Sequence, residues 1–422
     1  MPVTRIDYGR NGRLLDTGNR PVSVLRPRYP AALPDEAAAF KRAAKKPYGG
    51  GPPLRERVRS DERLAVVIPD ITRALPNERL LGWLFSELSH VAEDNITILS
   101  GTGTHRANTP EEWISMVGER VYRRIRCIDH RCDDPDSLAY AGDSSFGYPV
   151  HYHRAYVEAD RRILLGFIEP HFMAGFSGGY KAVFPGITGM EAIMRYHSAA
   201  NIGHPRSTWG VLKDNPTQEH IRAGGSLLPV DFCINVTLDN DLRVTGFFCG
   251  EVLPAHEAGC AFCKDTAMIP CAERFPVVVT SNSGYPLDQN LYQCVKGMSA
   301  AAQIVEPGGF ILMAGACTDG FPEHGNFKRL LFEHDGPRAL LETIQQPGFR
   351  CCDQWQVQLL ADILIKARVG LYSELPADAV RKAHLEPVQD LSATVREAAA
   401  GLPEDAPIAL LPEGPLTIPY IA

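Results

Sequence analysis

The chain has 422 residues, of which 43 are Lys or Arg and 50 are Asp or Glu, so its formal net charge is −7. This length suggests two or three domains of ordinary size. A mildly acidic chain without a basic block is a poor candidate for nucleic-acid binding, which depends on neutralising phosphate charge. Its 45% hydrophobic and 22% charged residues are typical of globular proteins and exclude collagen, a coiled coil or predominant disorder.

No secretion signal and no membrane span are expected. The opening residues lack an apolar core of signal-peptide length. The longest apolar stretch, at 310–317, is far shorter than the roughly 20 residues that a span needs. The eleven cysteines are odd in number and scattered, which favours a reducing compartment. Cys260 and Cys263 are interpreted as buried helix residues, since no second pair completes a zinc site. We therefore expect a cytoplasmic protein without a membrane partner.

Apolar runs alternate with amphipathic segments along most of the chain. In chain order, the pattern predicts a helix at 34–45, a strand at 64–68, a helix at 77–93, a strand at 96–99, a helix that begins at Thr109 and Pro110, a strand at 162–166, a helix at 189–199, paired strands at 231–237 and 242–248, and a helix at 254–266. Asn77 and Thr109 are the predicted N-caps of their helices.

A second series begins near residue 270, with strands at 276–280, 309–314 and 407–411 and a helix at 288–302. Strands that alternate with helices imply parallel sheets. We predict an α/β protein of two domains, with mainly parallel sheets flanked by helices and an active site in the interdomain cleft. The predicted domains are a cofactor-binding and catalytic domain at 1–270 and a C-terminal α/β domain at 271–404. The tail, 405–422, is expected to return to the first domain.

Polar residues and glycines cluster at predicted strand ends, where open α/β sheets bind ligands. Asp70 and Arg73 follow one strand, and an arginine there suits a carboxylate or a phosphate. A glycine-rich turn follows the next strand and contains His105, a candidate general acid or base. The alternatives are a helix cap beside a surface arginine for the first cluster and a structural histidine for the second.

The densest cluster spans 169–181, with His171 near its start and Lys181 at its end. Three glycines inside it exclude an ordinary helix interior and predict a loop that cradles an anion. It is not a P-loop, because Ala182 follows the lysine. A purely structural role is the less favoured alternative for so many special residues.

Four further residues complete the candidate set. His197 could bind a soft transition metal through one ring nitrogen, with a structural histidine as the alternative. Gln293 and Lys296 are three residues apart on a helix and could bind a carboxylate, with solvated surface as the alternative. Trp355 is interpreted by default as a core residue. No serine or cysteine nucleophile with a paired base is evident, which favours proton transfer beside an anionic ligand or cofactor.

Taken together and in this order, these motifs resemble the nickel-dependent lactate racemase family. The resemblance covers nearly the whole chain. It is carried by Asp70-Ile71-Thr72-Arg73, Gly103-Thr104-His105-Arg106, Glu169-Pro170-His171 through Lys181 with Pro185-Gly186, His197, Pro286-Leu287-Asp288-Gln289-Asn290 to Lys296, and the closing Leu411-Pro412-Glu413-Gly414-Pro415.

The resemblance implies a nickel-pincer nucleotide, nickel pyridinium-3,5-bisthiocarboxylic acid mononucleotide, which holds nickel through carbon and two sulfurs. In the family a lysine attaches this cofactor covalently as a thioamide, and that lysine matches Lys181. The family's nickel-binding histidine matches His197. The stretch that contacts the cofactor matches Asp70, Ile71, Thr72 and Arg73.

The resemblance also assigns roles in catalysis. Two family histidines alternate as base and acid, and they match His105 and His171. Contacts with the substrate carboxylate match Gln293 and Lys296, with Arg73 also facing the substrate. The family's active-site tryptophan matches Trp355. The implied reaction is racemisation or epimerisation of a 2-hydroxy acid, by proton-coupled hydride transfer to the cofactor through a 2-keto acid.

Substrate identity stays open between several 2-hydroxy acids. A short aliphatic acid such as lactate is favoured, because no extra cation for a second carboxylate is evident. Malate or a sugar acid with the same cofactor is one alternative. An NAD-dependent 2-hydroxyacid dehydrogenase is another, although a full Gly-x-Gly-x-x-Gly with a downstream acid is lacking. A non-catalytic cofactor carrier is the third. The expected partners are the small substrate and the proteins that synthesise and insert the cofactor.

Overall fold

The computed structural model describes residues 3–322 and 325–422. Its strands, in chain order, are β1 (Val3–Ile6), β2 (Arg13–Asp16), β3 (Val22–Val24), β4 (Leu64–Pro69), β5 (Ile96–Gly101), β6 (Arg126–Asp129), β7 (Leu138–Asp143), β8 (Pro149–His153), β9 (Arg161–Phe167), β10 (Pro170–His171), β11 (Gly175–Phe176), β12 (Phe232–Leu238), β13 (Val244–Gly250), β14 (Met268–Cys271), β15 (Phe275–Ser281), β16 (Val305–Ala314), β17 (Arg368–Tyr372), β18 (Glu386–Val388), β19 (Ile408–Leu411) and β20 (Ile418–Ile421).

The α-helices lie between these strands. In chain order they are α1 (Glu36–Lys45), α2 (Asn77–Glu87), α3 (Pro110–Val117), α4 (Glu119–Arg124), α5 (Arg154–Val157), α6 (Met190–Tyr196), α7 (Ala199–Ile202), α8 (Pro216–Gly225), α9 (Val252–Ala267), α10 (Leu291–Ala302), α11 (Phe327–Phe332), α12 (Pro337–Ile344), α13 (Gln354–Lys366), α14 (Ala377–Lys382) and α15 (Leu391–Ala399). No helix in the described part of the chain is long and apolar enough to cross a membrane.

The chain folds into two compact units, each around its own six-stranded sheet. The first unit comprises residues 29–196 and 210–264, and its sheet has the order β13-β12-β9-β4-β5-β6. Its neighbouring strands are parallel, except for the antiparallel pair β12–β13. The second unit comprises residues 3–28, 197–209, 265–322 and 325–422, and its sheet, β18-β17-β16-β15-β19-β3, is entirely parallel. The predicted α/β class is confirmed.

Unbroken apolar runs form the central strands. β4 reads Leu-Ala-Val-Val-Ile-Pro, and its first five residues are buried. A strand without polar alternation is typical of a parallel sheet that is covered on both faces. In the first unit, α2 and α3 contribute Leu80, Leu84 and Trp113 to the core that covers β4. The polar ends of these strands are therefore held on a rigid, well-packed support.

The division into units differs from the predicted domains. The tail does not return to the first unit, because β19 pairs in parallel with β15, and β20 pairs with β14. The N-terminal residues join the second unit because β3 pairs with the other edge of β19. Residues 197–209 also belong to the second unit, although the segments on either side of them form the first. The contacts change units between residues 264 and 265, close to the predicted boundary at 270.

Two predicted helix starts had different outcomes. Thr109 is confirmed as an N-cap: its Oγ1 accepts from the Glu112 amide, the Glu112 side chain accepts from the Thr109 amide, and Pro110 is the first helical residue. The prediction for Asn77 was wrong. The Pro76 carbonyl accepts the first helical hydrogen bond, from the Leu80 amide, so the cap lies one residue earlier.

Candidate active site

A short turn follows β4 at the centre of the first unit's sheet. Asp70 begins this turn, and only 3% of its surface is exposed. Thr72 donates from Oγ1 to Asp70 Oδ1 at 2.8 Å, and the Arg73 amide donates to the Asp70 carbonyl at 3.1 Å. Burial acts to raise the pKa of Asp70. The net effect is nevertheless a lowered pKa, because burial is outweighed by the hydrogen bond and charge of His105, the charge of Arg73 and the hydrogen bond from Thr72. The carboxyl group is therefore ionised at neutral pH.

His105 lies in the turn after β5, the strand that pairs in parallel with β4. Its Nδ1 is 2.8 Å from Asp70 Oδ2. An ionised carboxylate can only accept, so Nδ1 carries the proton and donates it. In the neutral imidazole this leaves the lone pair on Nε2, where a base needs it. The His105 side chain is 39% exposed, whereas that of Asp70 is 4% exposed. The structure thus joins the first two predicted clusters into one hydrogen-bonded pair.

Hydrogen bonds from the backbone and from the Asn108 side chain hold the two turns in place. The Ile71 amide donates to Asn108 Oδ1 at 3.2 Å, and Asn108 Nδ2 donates to Ser100 Oγ at 3.0 Å, which links the turn after β4 to β5. Gly103 adopts a φ of 58° and donates its amide to the Gly186 carbonyl at 2.9 Å. A residue with a side chain rarely adopts that φ, which explains the glycine beside His105.

His171 lies on the small hairpin formed by β10 and β11, opposite Gly175. Its Nδ1 accepts hydrogen bonds from the amides of Met173 at 3.3 Å and Ala174 at 3.2 Å. Its ring stacks on Phe172, with centroids 4.8 Å apart and an interplanar angle of 16°. The hairpin therefore fixes both the plane and the hydrogen-bonding edge of this imidazole.

Lys181 lies in a short 3-10 helix, Gly179–Ala182, that follows the hairpin. Gly178 and Gly179 have positive φ values of 82° and 57°. A Cβ at Gly178 would lie 2.9 Å from Ile168 Cγ1, and one at Gly179 would lie 2.9 Å from the ring of His256. These two glycines are therefore required for tight packing of the loop, and the anion cradle that the sequence predicts here stays a prediction.

Two residues that the sequence did not point to support this lysine loop. Asn235, on β12, accepts from the Gly179 amide through Oδ1 at 3.1 Å. His256, on α9, makes a 2.9 Å hydrogen bond with the Ser177 carbonyl through Nε2. Since a carbonyl only accepts, Nε2 carries the proton. Burial lowers the pKa of His256 to about 4, so this histidine is neutral. Both are polar residues within apolar stretches, which is the one local signal that could have indicated them.

The other candidates lie on the second unit. His197 is buried between α6 and α7, and its ring stacks on Trp355 with centroids 4.1 Å apart. Trp355 Nε1 donates to the Tyr292 hydroxyl at 3.1 Å, which connects α13 to α10. α10 also carries Gln293 and Lys296, both half-buried. Trp355 is buried as predicted, but it packs on a candidate metal ligand, and Tyr292 is a contact that the sequence did not indicate.

The cysteines form neither disulfides nor a metal cluster in the described structure. All eleven are free thiols. Cys260 and Cys263 are buried on α9, as predicted. Among residues 3–322 and 325–422, no group of three or more His, Cys, Asp or Glu side chains could hold a metal ion.

Comparisons with known proteins match most of the chain. The family model for the lactate racemase N-terminal domain matches residues 8–210, and the model for the lactate racemase C-terminal domain matches 272–418. Lactate racemase from Lactiplantibacillus plantarum is 34% identical over 368 residues, which cover 86% of this chain and 87% of that protein. Lactate racemase from Thermoanaerobacterium thermosaccharolyticum is 31% identical over 422 residues and covers 98% of both.

The chain belongs to the lactate racemase family. It is therefore an isomerase of the racemase type. The solved lactate racemase apoprotein from T. thermosaccharolyticum superimposes with a TM-score of 0.91 at 30% identity, over 99% of this chain and all of that one. A Thermotoga maritima protein matches with a TM-score of 0.69 over 93% of this chain and all of that one, at 19% identity, which shows the fold alone.

Membership of the lactate racemase family implies a nickel-based cofactor. Two side chains of this chain have the chemistry to hold one. Lys181 supplies a primary amine, and His197 supplies an imidazole of the kind that binds nickel. The structure places them on different units, in a short 3-10 helix and between two helices respectively.

Proposed function

We propose that this racemase interconverts the enantiomers of a short 2-hydroxy acid, with lactate as the first substrate. The observation that carries the proposal is the 2.8 Å hydrogen bond between Asp70 Oδ2 and His105 Nδ1. It presents a base at the ends of two central strands, in a chain whose curated relatives are named lactate racemases. The eleven free thiols support a reducing, cytoplasmic location.

The residues present fit a nickel-pincer nucleotide. Such a cofactor brings most of the nickel ligands itself, so the protein needs to supply one imidazole rather than a cluster. His197 would be that ligand, and Trp355, stacked on its ring at 4.1 Å, would fix the ring plane. Lys181 would attach the cofactor through a thioamide bond. The loop that carries Lys181 is hydrogen-bonded to Asn235 and His256, and these bonds would limit the movement of the loop.

The chemistry that such a cofactor supplies when bound is acceptance and return of a hydride. The side chains of this chain do the rest. His105 Nε2 takes the hydroxyl proton of the substrate, while Asp70 stabilises the resulting imidazolium through Nδ1. Loss of one proton and one hydride from a 2-hydroxy acid leaves a neutral carbonyl beside the carboxylate, a 2-keto acid. Return of both to the opposite face gives the other enantiomer, and we assign to His171 the exchange of the proton on that side.

The substrate carboxylate needs a fixed cation while the carbonyl turns. We assign this role to Lys296 and Arg73, with Gln293 as a hydrogen-bond donor. Lys296 and Gln293 are on α10, whose first turn is fixed by Asn290, since Oδ1 of that cap accepts from the Gln293 amide at 3.0 Å. Two positive charges and an amide donor would hold the acid in a fixed orientation, and such positioning supplies much of the rate.

The test begins with protein co-produced with the enzymes that synthesise the cofactor. Intact mass and nickel content are measured first, and chiral chromatography then follows single enantiomers of lactate, malate and a sugar acid. We expect an adduct at Lys181, one nickel per chain and conversion of either lactate enantiomer. The Lys181→Ala variant loses the adduct, whereas Lys41→Ala, at an exposed lysine on α1, retains it.

The outcomes separate the parts of the proposal. Conversion of malate or a sugar acid, but not of lactate, would refute lactate as the substrate and support the proposed reaction and cofactor. An active protein with neither nickel nor an adduct would refute the cofactor assignment. Activity that requires added NAD would favour a dehydrogenase instead.

A further inference from the structure

Three buried glutamines lie close together at the start of α13. Gln354, Gln356 and Gln358 are each at most 1% exposed. Glutamine is rarely buried so deeply, because an amide that is taken out of water needs new hydrogen-bond partners. Each of these side chains donates from Nε2 to a backbone carbonyl of another segment of the second unit. The three amides therefore hold other segments of that unit against α13.

Gln354 holds the residue that carries the candidate nickel ligand. Its Oε1 accepts from the Cys351 amide at 2.8 Å, and its Nε2 donates to the His197 carbonyl at 3.2 Å. Since a backbone amide only donates, Cys351 fixes the side-chain oxygen and turns the nitrogen toward His197. Trp355, the next residue, stacks on the His197 ring with centroids 4.1 Å apart. Two consecutive residues of α13 thus contact the backbone and the ring of His197.

Gln358 holds the same segment two residues further along. Positions 354 and 358 are four apart and therefore share one face of α13. Gln358 Nε2 donates to the Ala199 carbonyl at 2.9 Å, and a Cβ at Gly203 would lie only 2.9 Å from that nitrogen. In the described part of the chain, Oε1 of Gln358 is buried without a partner, a cost that an apolar side chain would avoid. This position therefore retains an amide for the bond that its nitrogen makes.

We infer that Gln354 and Gln358 are positioning residues for His197, which fix the backbone at and just after it while Trp355 fixes the plane of its ring. The inference rests on the proposed function, in which His197 binds nickel. Groups that orient a metal ligand influence metal affinity nearly as much as the ligand itself, because a ligand held in place keeps its nitrogen where the metal needs it.

Gln356 provides a matched control on the same helix. It is the same residue type and equally buried, but it lies two positions from Gln354 and so faces another direction. Its Nε2 donates to the Tyr292 carbonyl of α10 at 2.5 Å, and not to the segment that carries His197. Replacing Gln356 removes a buried hydrogen bond of the same kind without touching the anchor of His197.

The test measures how fast the holoenzyme loses nickel. Protein co-produced with the cofactor-synthesis enzymes is incubated with excess EDTA, and the nickel that remains is counted per Lys181 adduct, so that incomplete loading does not affect the result. Methionine is similar to glutamine in length and has no amide. We expect Gln354→Met and Gln358→Met to release nickel at least about tenfold faster than the wild type, as for other partners that orient a metal ligand. Gln356→Met should release it at the wild-type rate.

Gly203→Ala disturbs the Gln358 bond from the opposite side. Gly203 has a φ of −77°, which alanine adopts without strain, so the added Cβ acts by displacing Gln358 Nε2. We expect faster nickel release than in the wild type. Combined with Gln358→Met, the replacement should add little, since both changes remove the same hydrogen bond. Fully additive effects would show that this bond does not position His197.

Hydrogen exchange provides a readout that needs neither nickel nor cofactor. Mass spectrometry of peptides that cover 197–203, from cofactor-free protein, measures how firmly this segment is held. Gln354→Met and Gln358→Met should exchange faster there than the wild type, whereas Gln356→Met should not. Unchanged exchange in both Gln354→Met and Gln358→Met would overturn the inference.

His197→Ala separates this inference from the proposed function. Nickel release from His197→Ala at the wild-type rate would refute His197 as the nickel ligand. Fast release from His197→Ala, together with wild-type release from Gln354→Met and Gln358→Met, would overturn the positioning role alone. Equally fast release from Gln356→Met would indicate general loosening of α13 and would also overturn it.

Discussion

The replacement His256→Phe tests how α9 supports the lysine loop. The imidazole is almost fully buried and makes a 2.9 Å hydrogen bond with the Ser177 carbonyl. Phenylalanine has a similar shape but no donor, so it leaves this buried carbonyl without its partner. Such a loss costs about 1–3 kcal/mol. For a unit of this size, each kcal/mol lowers the melting temperature by roughly 2–4 °C.

The same variant should also impair the loop itself. Gly179 lies so close to His256 that a Cβ there would be 2.9 Å from the ring, so the loop backbone packs directly against the ring. We expect a smaller fraction of His256→Phe to carry the adduct at Lys181 after co-production with the cofactor enzymes. Differential scanning fluorimetry measures the melting temperature, and intact mass measures the adduct fraction.

His90→Phe is the matched control. His90, which follows α2, makes the same kind of hydrogen bond. Its Nε2 lies 2.7 Å from the carbonyl of Val58, a residue in the segment before β4. It should lower the melting temperature and leave the adduct fraction unchanged. An unaltered melting temperature and adduct fraction in His256→Phe would refute the reasoning. Equal adduct losses in both variants would show general destabilisation rather than support of the loop.

Three further predictions concern ionisation. Hydrogen bonds from Arg161 at 2.9 and 3.0 Å lower the pKa of Glu62. The ionised carboxylate therefore stabilises the fold above about pH 4.5, and this stabilisation is lost as the pH falls through the lowered pKa. Glu62→Gln should show a smaller fall in melting temperature below about pH 4.5 than the wild type, as measured by fluorimetry. Burial lowers the pKa of His130 from 6.5 to about 4, so the unfolded chain takes up the proton first as the pH falls. The wild type should lose melting temperature between these two values, and His130→Asn should lose less, as measured by fluorimetry across that range. Burial raises the pKa of Cys233 to about 12, so mass spectrometry after alkylation should find it unmodified in the native protein and modified in urea.

Much of the local structure follows from short-range patterns. The buried run that begins at Leu64 forms a central strand because only a doubly covered strand can bury every residue. Thr109 and Pro110 form the predicted helix start, and the structure shows that Glu112 completes the cap within four residues. The sequence also placed Asp70 and His105 at strand ends, which is where parallel sheets present polar groups.

The tertiary structure alone decided which segments belong together. The tail strand β19 lies between β15 and β3, partners about 130 and 385 residues away in the chain, and no local pattern encodes such a pairing. Likewise, residues 197–209 pass to the second unit, where His197 meets Trp355. The unit to which a segment belongs is decided by the strands it pairs with and the surface it buries, rather than by its position in the sequence.

For the candidate site, the sequence and its family resemblance determined which side chains are present, and the fold determined what each one can do. Histidine at 105 and at 197 is the same residue type, and nothing in the neighbouring letters shows what faces each ring. His105 Nδ1 faces the carboxylate of Asp70, whereas the ring of His197 stacks on Trp355. Such contacts are a few ångströms long and join residues that are far apart in the sequence, so only the folded chain brings them together.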